Sequence, residues 1–254
     1  MKRQSMRKTL ILISFFLFPV TIYYLSPALP IEGAFQGIAS GSLVLFALLF
    51  LSSLICGRAF CGWVCPAAGL QEACFGIQNK RVVRGYWVKY LIWGCWMAVL
   101  ILAVISAKGI HALDPFFATD HGISIAEPSN YIIYYSVIAL IFIPALGIGK
   151  RSFCHSICWM APFMVLGMKI RNWIQWPALH LETNPERCSH CQRCTRECPM
   201  SLEVETMAKD GTIANSECIL CGNCVDTCPK MAIHYAWMKK RSLPAATTAT
   251  RNTH

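Results

Sequence analysis

Apolar residues gather into four long runs along the first part of the chain, at about Leu10 to Leu25, Ile38 to Cys56, Val88 to Ala107 and Tyr131 to Ile148. Each is close to the ~20 apolar residues needed to cross ~30 Å of hydrocarbon, so the pattern predicts four transmembrane helices. Pro19 predicts a kink in the first run. That run follows the basic start Lys2, Arg3, Arg7 and Lys8, and it fits a signal sequence as well as a retained span. Ile157 to Met168 is a further apolar run of twelve residues, too short to cross. Lys169, Arg171, Trp173 and Trp176 behind it predict a helix lying at the membrane interface.

Basic residues set the expected orientation. Arg58, Lys80, Arg81, Arg84 and Lys89 crowd the loop after the second run, and Lys150-Arg151 follows the fourth, while the connection from Lys108 to Asn130 holds one Lys or Arg. Positive loops stay inside, so the pattern predicts a multi-pass protein of the cytoplasmic (inner) membrane with both termini cytoplasmic and the 108–130 connection outside. After the last run, Glu182 to Asn184 enters a small polar unit expected to end near Tyr235. From Ser242 the chain is Ala/Thr-rich without apolar periodicity, which predicts disorder. The expected organisation is a four-helix membrane domain over residues 1–181, a small domain over 182–235 and a tail over 236–254.

Composition agrees. The 254 residues are 55% hydrophobic and 14% charged, and a positive mean hydropathy leaves too little polar surface for an ordinary soluble domain. A net charge of +10 could indicate nucleic acid. The basic residues flank apolar runs instead of forming a patch interleaved with aromatics, so membrane topology explains them and a nucleic-acid partner is not expected.

Cysteine changes the picture most. The 15 cysteines include Cys188, Cys191, Cys194 and Cys198-Pro199, then Cys218, Cys221, Cys224 and Cys228-Pro229, two copies of one run. This is the bacterial ferredoxin signature, in which the fourth cysteine of each run ligates the other cluster. The crossed assignment places Cys188, Cys191, Cys194 and Cys228 on one [4Fe–4S] cluster, and Cys218, Cys221, Cys224 and Cys198 on the second. A disulfide framework is opposed by the regular spacing and the cytoplasmic placement, and paired zinc sites by the runs of four. The predicted fold class is therefore an α-helical membrane protein of four transmembrane helices, carrying a small cytoplasmic α+β ferredoxin domain.

A second repetition lies at the ends of two spans. Arg58-Ala59-Phe60-Cys61-Gly62-Trp63-Val64-Cys65-Pro66 parallels Arg151-Ser152-Phe153-Cys154-His155-Ser156-Ile157-Cys158-Trp159, with Arg, Phe and both cysteines at identical offsets. Apolar stretches follow both, Ala67 to Ile77 and Pro162 to Trp173. Two hairpins of one design suggest an internal duplication about a pseudo-two-fold axis. Spacing of four puts each cysteine pair on one face if the segment is helical. Cys61, Cys65, Cys154 and Cys158 then form a joint thiolate metal site, two redox-active thiol pairs, or packing. Cys56, Cys74 and Cys95 have no partner at ligand spacing and read as packing residues.

With these motifs in hand, the chain resembles the membrane polyferredoxin family that includes the NapH-type quinol dehydrogenase subunits, the membrane part of NosR, and CcoG. The resemblance covers about residues 1 to 235. It implies electron transfer between membrane quinol and a redox protein partner or, in the CcoG-like branch, copper handling and reduction. The sequence departs from the family's repeated C-x-x-x-C-P where Trp159 follows Cys158.

The leading expectation is an electron-transfer membrane subunit, enzymatic at most as part of a quinol dehydrogenase. Its expected cofactors are two [4Fe–4S] clusters, with a quinone and an additional thiolate-bound metal as further candidates. Quinol oxidation releases protons as well as electrons, so proton-accepting groups near the interface matter. His111, Asp114, Asp120 and His121 are available outside, though Asp114-Pro115 reads first as the start of a solvated turn. His155 is the better candidate, being fixed among the thiols, while His190 and His234 read as hydrogen-bonding or exposed residues. Copper handling is the rival, since soft thiolates favour Cu(I), and a redox sensor is the third reading. No nucleophile, nucleotide loop or flavin fingerprint points to a complete substrate transformation by the chain alone.

Overall fold

A computed structural model describes residues 2–238 except 83, 84, 121 and 126. Arg84, His121 and the Ala/Thr-rich tail thus lie outside the described residues. The first apolar run does not form one span. It breaks into α1 (Lys2–Phe16) and α2 (Phe18–Thr21), and α3 (Ala28–Phe35) follows. Pro19 lies in the first turn of α2, the one helical place where a missing N–H is not felt. Arg7 gives the second reason: it is fully buried and paired with Glu72, which draws α1 into the protein.

Strand β1 (Ile38–Ser40) runs parallel to β2 (Ala112–Asp114), pairing Ile38 with Ala112 and Ser40 with Asp114. The remaining helical elements are α4 (Gly41–Cys56), α5 (Ala59–Trp63), α6 (Pro66–Ala73), α7 (Val88–Ser106), α8 (Tyr131–Gly147), α9 (Ser152–Ser156) and α10 (Ala161–Ile174). Two stretches among the described residues, Val88–Ser106 and Pro128–Gly147, are long and apolar enough to cross a membrane, while α4 is apolar but has 16 residues. The expectation of four full-length spans therefore narrows to two. Only 17% and 11% of their apolar windows are buried, and Leu102, Ile105, Ile132 and Ile143 point outward. A core helix would be buried all round, so these outward apolar faces suit hydrocarbon.

The predicted interfacial helix α10 also packs against the rest of the protein. It buries Met164, Val165 and Met168 and crosses α4 so closely that a Cβ on Gly167 would collide with Ser53 Oγ. Small residues let two helix backbones approach in this way. Trp173 and Trp176 at its end remain exposed, as membrane-interface anchors would.

Beyond α10 lies an antiparallel sheet of order β4-β3-β5, in which β3 (Ala178–Thr183) sits between β4 (Thr212–Ile213) and β5 (Ile233–Met238). Its pairings run from Ala178 with Met238 to Thr183 with Ile233, so the sheet reaches past the expected 182–235 limits at both ends. Short helices α11 (Arg193–Arg196), α12 (Val204–Lys209) and α13 (Asn223–Thr227) complete this unit. Leu181, Ile213 and Ile233 share one apolar core with Ile11, Phe46 and Met164, so the sheet unit is docked on the helices and not tethered to them.

Candidate functional site

The two ferredoxin-type runs fold alike. His190 and Leu220, Gln192 and Gly222, and Ser201 and Met231 occupy equivalent positions, and all six have positive φ. Such alternating handedness turns successive backbone N–H groups toward one centre, a concavity suited to an anion. Cys188, Cys191, Cys194 and Cys228 line one cavity together with Glu205 and Ile233. Cys198, Cys218, Cys221 and Cys224 line a second, walled by Leu181, Met200 and Ile213. Each cavity thus takes three cysteines from one run and the fourth from the other.

The donor chemistry of both cavities suits iron–sulfur clusters, whose potentials depend on hydrogen bonds to sulfur and on burial. The N–H of Arg193 donates to Cys191 and that of Thr195 to Cys194. Leu202 and Met200 donate to Cys198, Leu220 to Cys218, and Asn223 to Cys221. Ala232 N–H lies 3.3 Å from Cys228 Sγ. The cavities differ in depth. Cys191 is exposed, whereas Cys198, Cys221 and Cys224 are buried, and burial pushes the Cys198 thiol up to about 11 and that of Cys218 up to about 12.

The duplicated motifs also repeat in space. In the first, the N–H groups of Val64 and Cys65 both donate to Phe60 O at 2.9 and 3.0 Å; in the second, Ile157 and Cys158 donate to Phe153 O at the same distances. The two cysteines of a motif do not share one helix face, because α5 and α9 end between them. Pro66 explains this in the first copy, since a residue before proline is pushed out of the helical region, and Cys65 is extended at φ −61 and ψ 123. All four sulfurs are buried in one core. Arg151 Nη1 donates to Cys61 O at 2.7 Å, and Gln71 Nε2 to Cys154 Sγ at 3.2 Å, so each motif grips the other. Among the described residues, no three His, Cys, Asp or Glu side chains converge on a point fit for a single metal ion.

Two buried ionic groups, which sequence reasoning missed, surround these motifs. Glu72 binds Arg7 and Arg151. Glu217 binds Arg58, Lys89 at 2.6 Å and the Tyr90 hydroxyl at 2.8 Å. Burial alone would raise the Glu217 carboxyl, but Arg58 and Lys89 hold it down to about 2. Glu72 is likewise held low against burial by Arg151 and Arg7. The available signal was a lone acid in each apolar setting, Glu72 inside the stretch after Pro66 and Glu217 beside Cys218.

The histidines separate clearly. His155 is buried edge-on to Tyr86, at 4.7 Å between ring centres, and its ring nitrogens have no hydrogen-bond partner among the described residues. Burial first, then Lys89, lower it to about 3, so it is neutral. His190 contacts Glu205 at 2.9 Å, His234 lies 3.8 Å from Glu182, and both are exposed. His111 is exposed and bonds Ala107 O, and Asp114 Oδ1 accepts from Phe116 N–H, the expected turn.

Next to the motifs lies a cavity of about 400 Å³, lined by Phe18, Ile22, Ile141, Phe153 and Trp159, with Tyr23, Glu32 and Asn130 as polar groups and Cys65 in its wall. Ligand cavities commonly have this size and this mixture of apolar walls with few polar groups.

Comparisons with known proteins fall on the same segments. A family model described as "4Fe-4S dicluster domain" matches residues 180–229. A model described as "4Fe-4S binding domain" matches twice, at 39–84 and 129–177, each time covering one C-x-x-x-C motif. YccM of Escherichia coli, assigned by its name to electron transport, is 23% identical over 211 residues, covering 78% of this chain and 56% of that one. Regulatory protein NosR of Pseudomonas aeruginosa is 24% identical over 220 residues, 80% of this chain and 29% of NosR. Ferredoxin-type protein NapH of Haemophilus influenzae is 24% identical over 212 residues, 77% of this chain and 68% of NapH. The chain therefore spans little more than half of YccM and under a third of NosR. No solved structure matches significantly.

Proposed function

The chain is a polyferredoxin-type iron–sulfur protein of low identity to its named relatives, and on that premise we propose that it relays electrons between the membrane quinone pool and a redox protein. The observation that carries this reading is the pair of cysteine-lined cavities, each with four sulfurs, in a chain that also holds an apolar cavity of about 400 Å³. Cys188, Cys191, Cys194 and Cys228 hold one [4Fe–4S] cluster, and Cys198, Cys218, Cys221 and Cys224 the other. When bound, they supply one-electron transfer. The protein's own part is to grade burial, with the second set shielded and the first open at Cys191, where a soluble redox partner gains access.

The apolar cavity receives the quinone. Tyr23 and Asn130 offer hydrogen bonds to ring oxygens, while Phe18, Ile22 and Ile141 exclude water. In this reading α7 and α8 cross the bilayer, the Lys/Arg pattern keeps the cluster domain cytoplasmic, and lipid surrounds the outward apolar faces.

The test is anaerobic addition of a short-chain quinol to the detergent-solubilised protein, followed by EPR. Quinol should reduce the clusters, or oxidised quinone should oxidise dithionite-reduced clusters. The cavity-filling Val137→Trp variant should slow the exchange at least about tenfold while the dithionite-reduced spectrum stays unchanged. Clusters that respond to dithionite but to neither quinol nor quinone would remove the carrier from the proposal.

A further inference from the structure

Six Lys or Arg side chains are buried among the described residues. Arg7 and Arg151 share Glu72, and Arg58 and Lys89 share Glu217. The other two, Arg171 and Lys150, are 7% and 5% exposed and form no ion pair among the described residues. Arg171 reaches only neutral oxygens: Nη1 donates to Leu179 O at 3.3 Å, and Nε and Nη2 donate to Asn172 Oδ1 at 3.4 and 3.3 Å. Lys150 Nζ donates to Arg196 O at 2.7 Å. A buried cation whose charge nothing offsets is strongly unfavourable, so each calls for a negative group nearby.

Both stand at the same ferredoxin set. Cys218 lines the second cluster cavity and also a small pocket lined by Arg171. Arg171 Nη1 and Leu220 Cδ1 both lie 3.4 Å from where a Cβ on Gly57 would stand, which puts the guanidinium against the loop between Cys218 and Cys221. Lys150 holds the carbonyl of the last residue of α11, two positions before Cys198. The first set is built differently. Its cavity is lined by the carboxylate of Glu205 and the exposed Arg193, and Cys191 is open to water.

We propose that Lys150 and Arg171 are positioning cations that hold up the reduction potential of the cluster on Cys198, Cys218, Cys221 and Cys224. The inference rests on the assignment of that cluster in the proposed function and needs no quinone. Four thiolates make such a cluster an anion, and the electron it takes up makes it more negative. Burial by itself opposes that change, because added charge is poorly tolerated in a dry surrounding. A fixed cation offsets the opposition best in the same surrounding, where charges are least screened. Lys150 and Arg171 thus keep the shielded set reducible, while water does this for the open one.

The full chain, purified anaerobically in detergent, is titrated with dithionite and followed by EPR, with iron counted in every sample. Arg171→Gln and Lys150→Gln remove the charge and keep a donor for Leu179 O or Arg196 O. Each should retain about eight iron atoms. Both should move the same one of the two reduction steps to lower potential, by about tenfold in the equilibrium for reduction or about 59 mV for one electron, and hold the other step in place. Arg171→Lys keeps the charge without the planar fork and should return most of the shift. Steps unmoved in both Gln variants, a different step moved by each, or a shift at 171 that lysine does not return overturns the proposal and leaves the clusters assigned. If one Gln variant loses iron, the other position decides alone. Fewer than two cluster signals in the unmodified chain overturns the assignment itself, and the proposal with it.

Discussion

Glu217 is the carboxylate that the helical part and the sheet unit share. Its folded pKa of about 2 lies below the ordinary 4.5, so its ionised form is favoured by folding. That contribution is fully present above about pH 4.5 and is lost as pH falls through about 2, for a total on the order of 3 kcal/mol. Thermal unfolding followed by fluorescence should therefore show the melting temperature dropping through this window. Glu217→Gln should melt lower at neutral pH, by the roughly 3–5 kcal/mol typical of breaking a buried pair, with a flatter acid profile. A variant with wild-type acid sensitivity would mean that other groups govern it. The residues also divide by how readable they were. The eight ferredoxin cysteines stood out because a cube fixes the spacing of its ligands. Glu217 did not, since its partner Arg58 lies 159 positions away and no local spacing announces such a pair.

Among the elements, α4 and α10 cross in close contact at Gly167. Gly167→Val should destabilise the solubilised protein by about 1–3 kcal/mol, the usual cost of overpacking. Ser53→Gly should restore part of the loss by removing the hydroxyl that the new side chain meets, and Phe50 O, 3.0 Å from a Cβ at 167, limits the recovery. A double-mutant cycle in a thermal-shift assay measures the coupling, and strict additivity would place the clash elsewhere. Apolar runs located most helices but not their fate. Val88–Ser106 and Tyr131–Gly147 matched expectation closely. The first run failed as a single span because the pattern weighs apolar residues and cannot foresee that Arg7 will be buried against Glu72. The length of the run after Cys158 excludes crossing but says nothing of Ser53 on α4, against which it packs.

At the scale of the molecule, Cys65 of the first motif borders the apolar cavity, and Trp63 beside it bonds Leu220 O, between two cysteines of the buried ferredoxin set. The duplication was legible in Arg-x-Phe-Cys; the departure from symmetry was not. Arg151 pairs with Glu72 on α6 of the other half, and the same register puts Val165 on α10 where Arg58 would need its carboxylate. Glu217 of the sheet unit fills that role. The ferredoxin part is thus not a detachable carrier that happens to be fused to a membrane anchor; it completes a pairing that the second hairpin no longer provides. A chain ending before Ala178 should aggregate on solubilisation, and Val165→Glu within that shortened chain should recover monodisperse protein by size-exclusion chromatography. Gene fission between the two parts would then be tolerated only where an acid returned to the second hairpin.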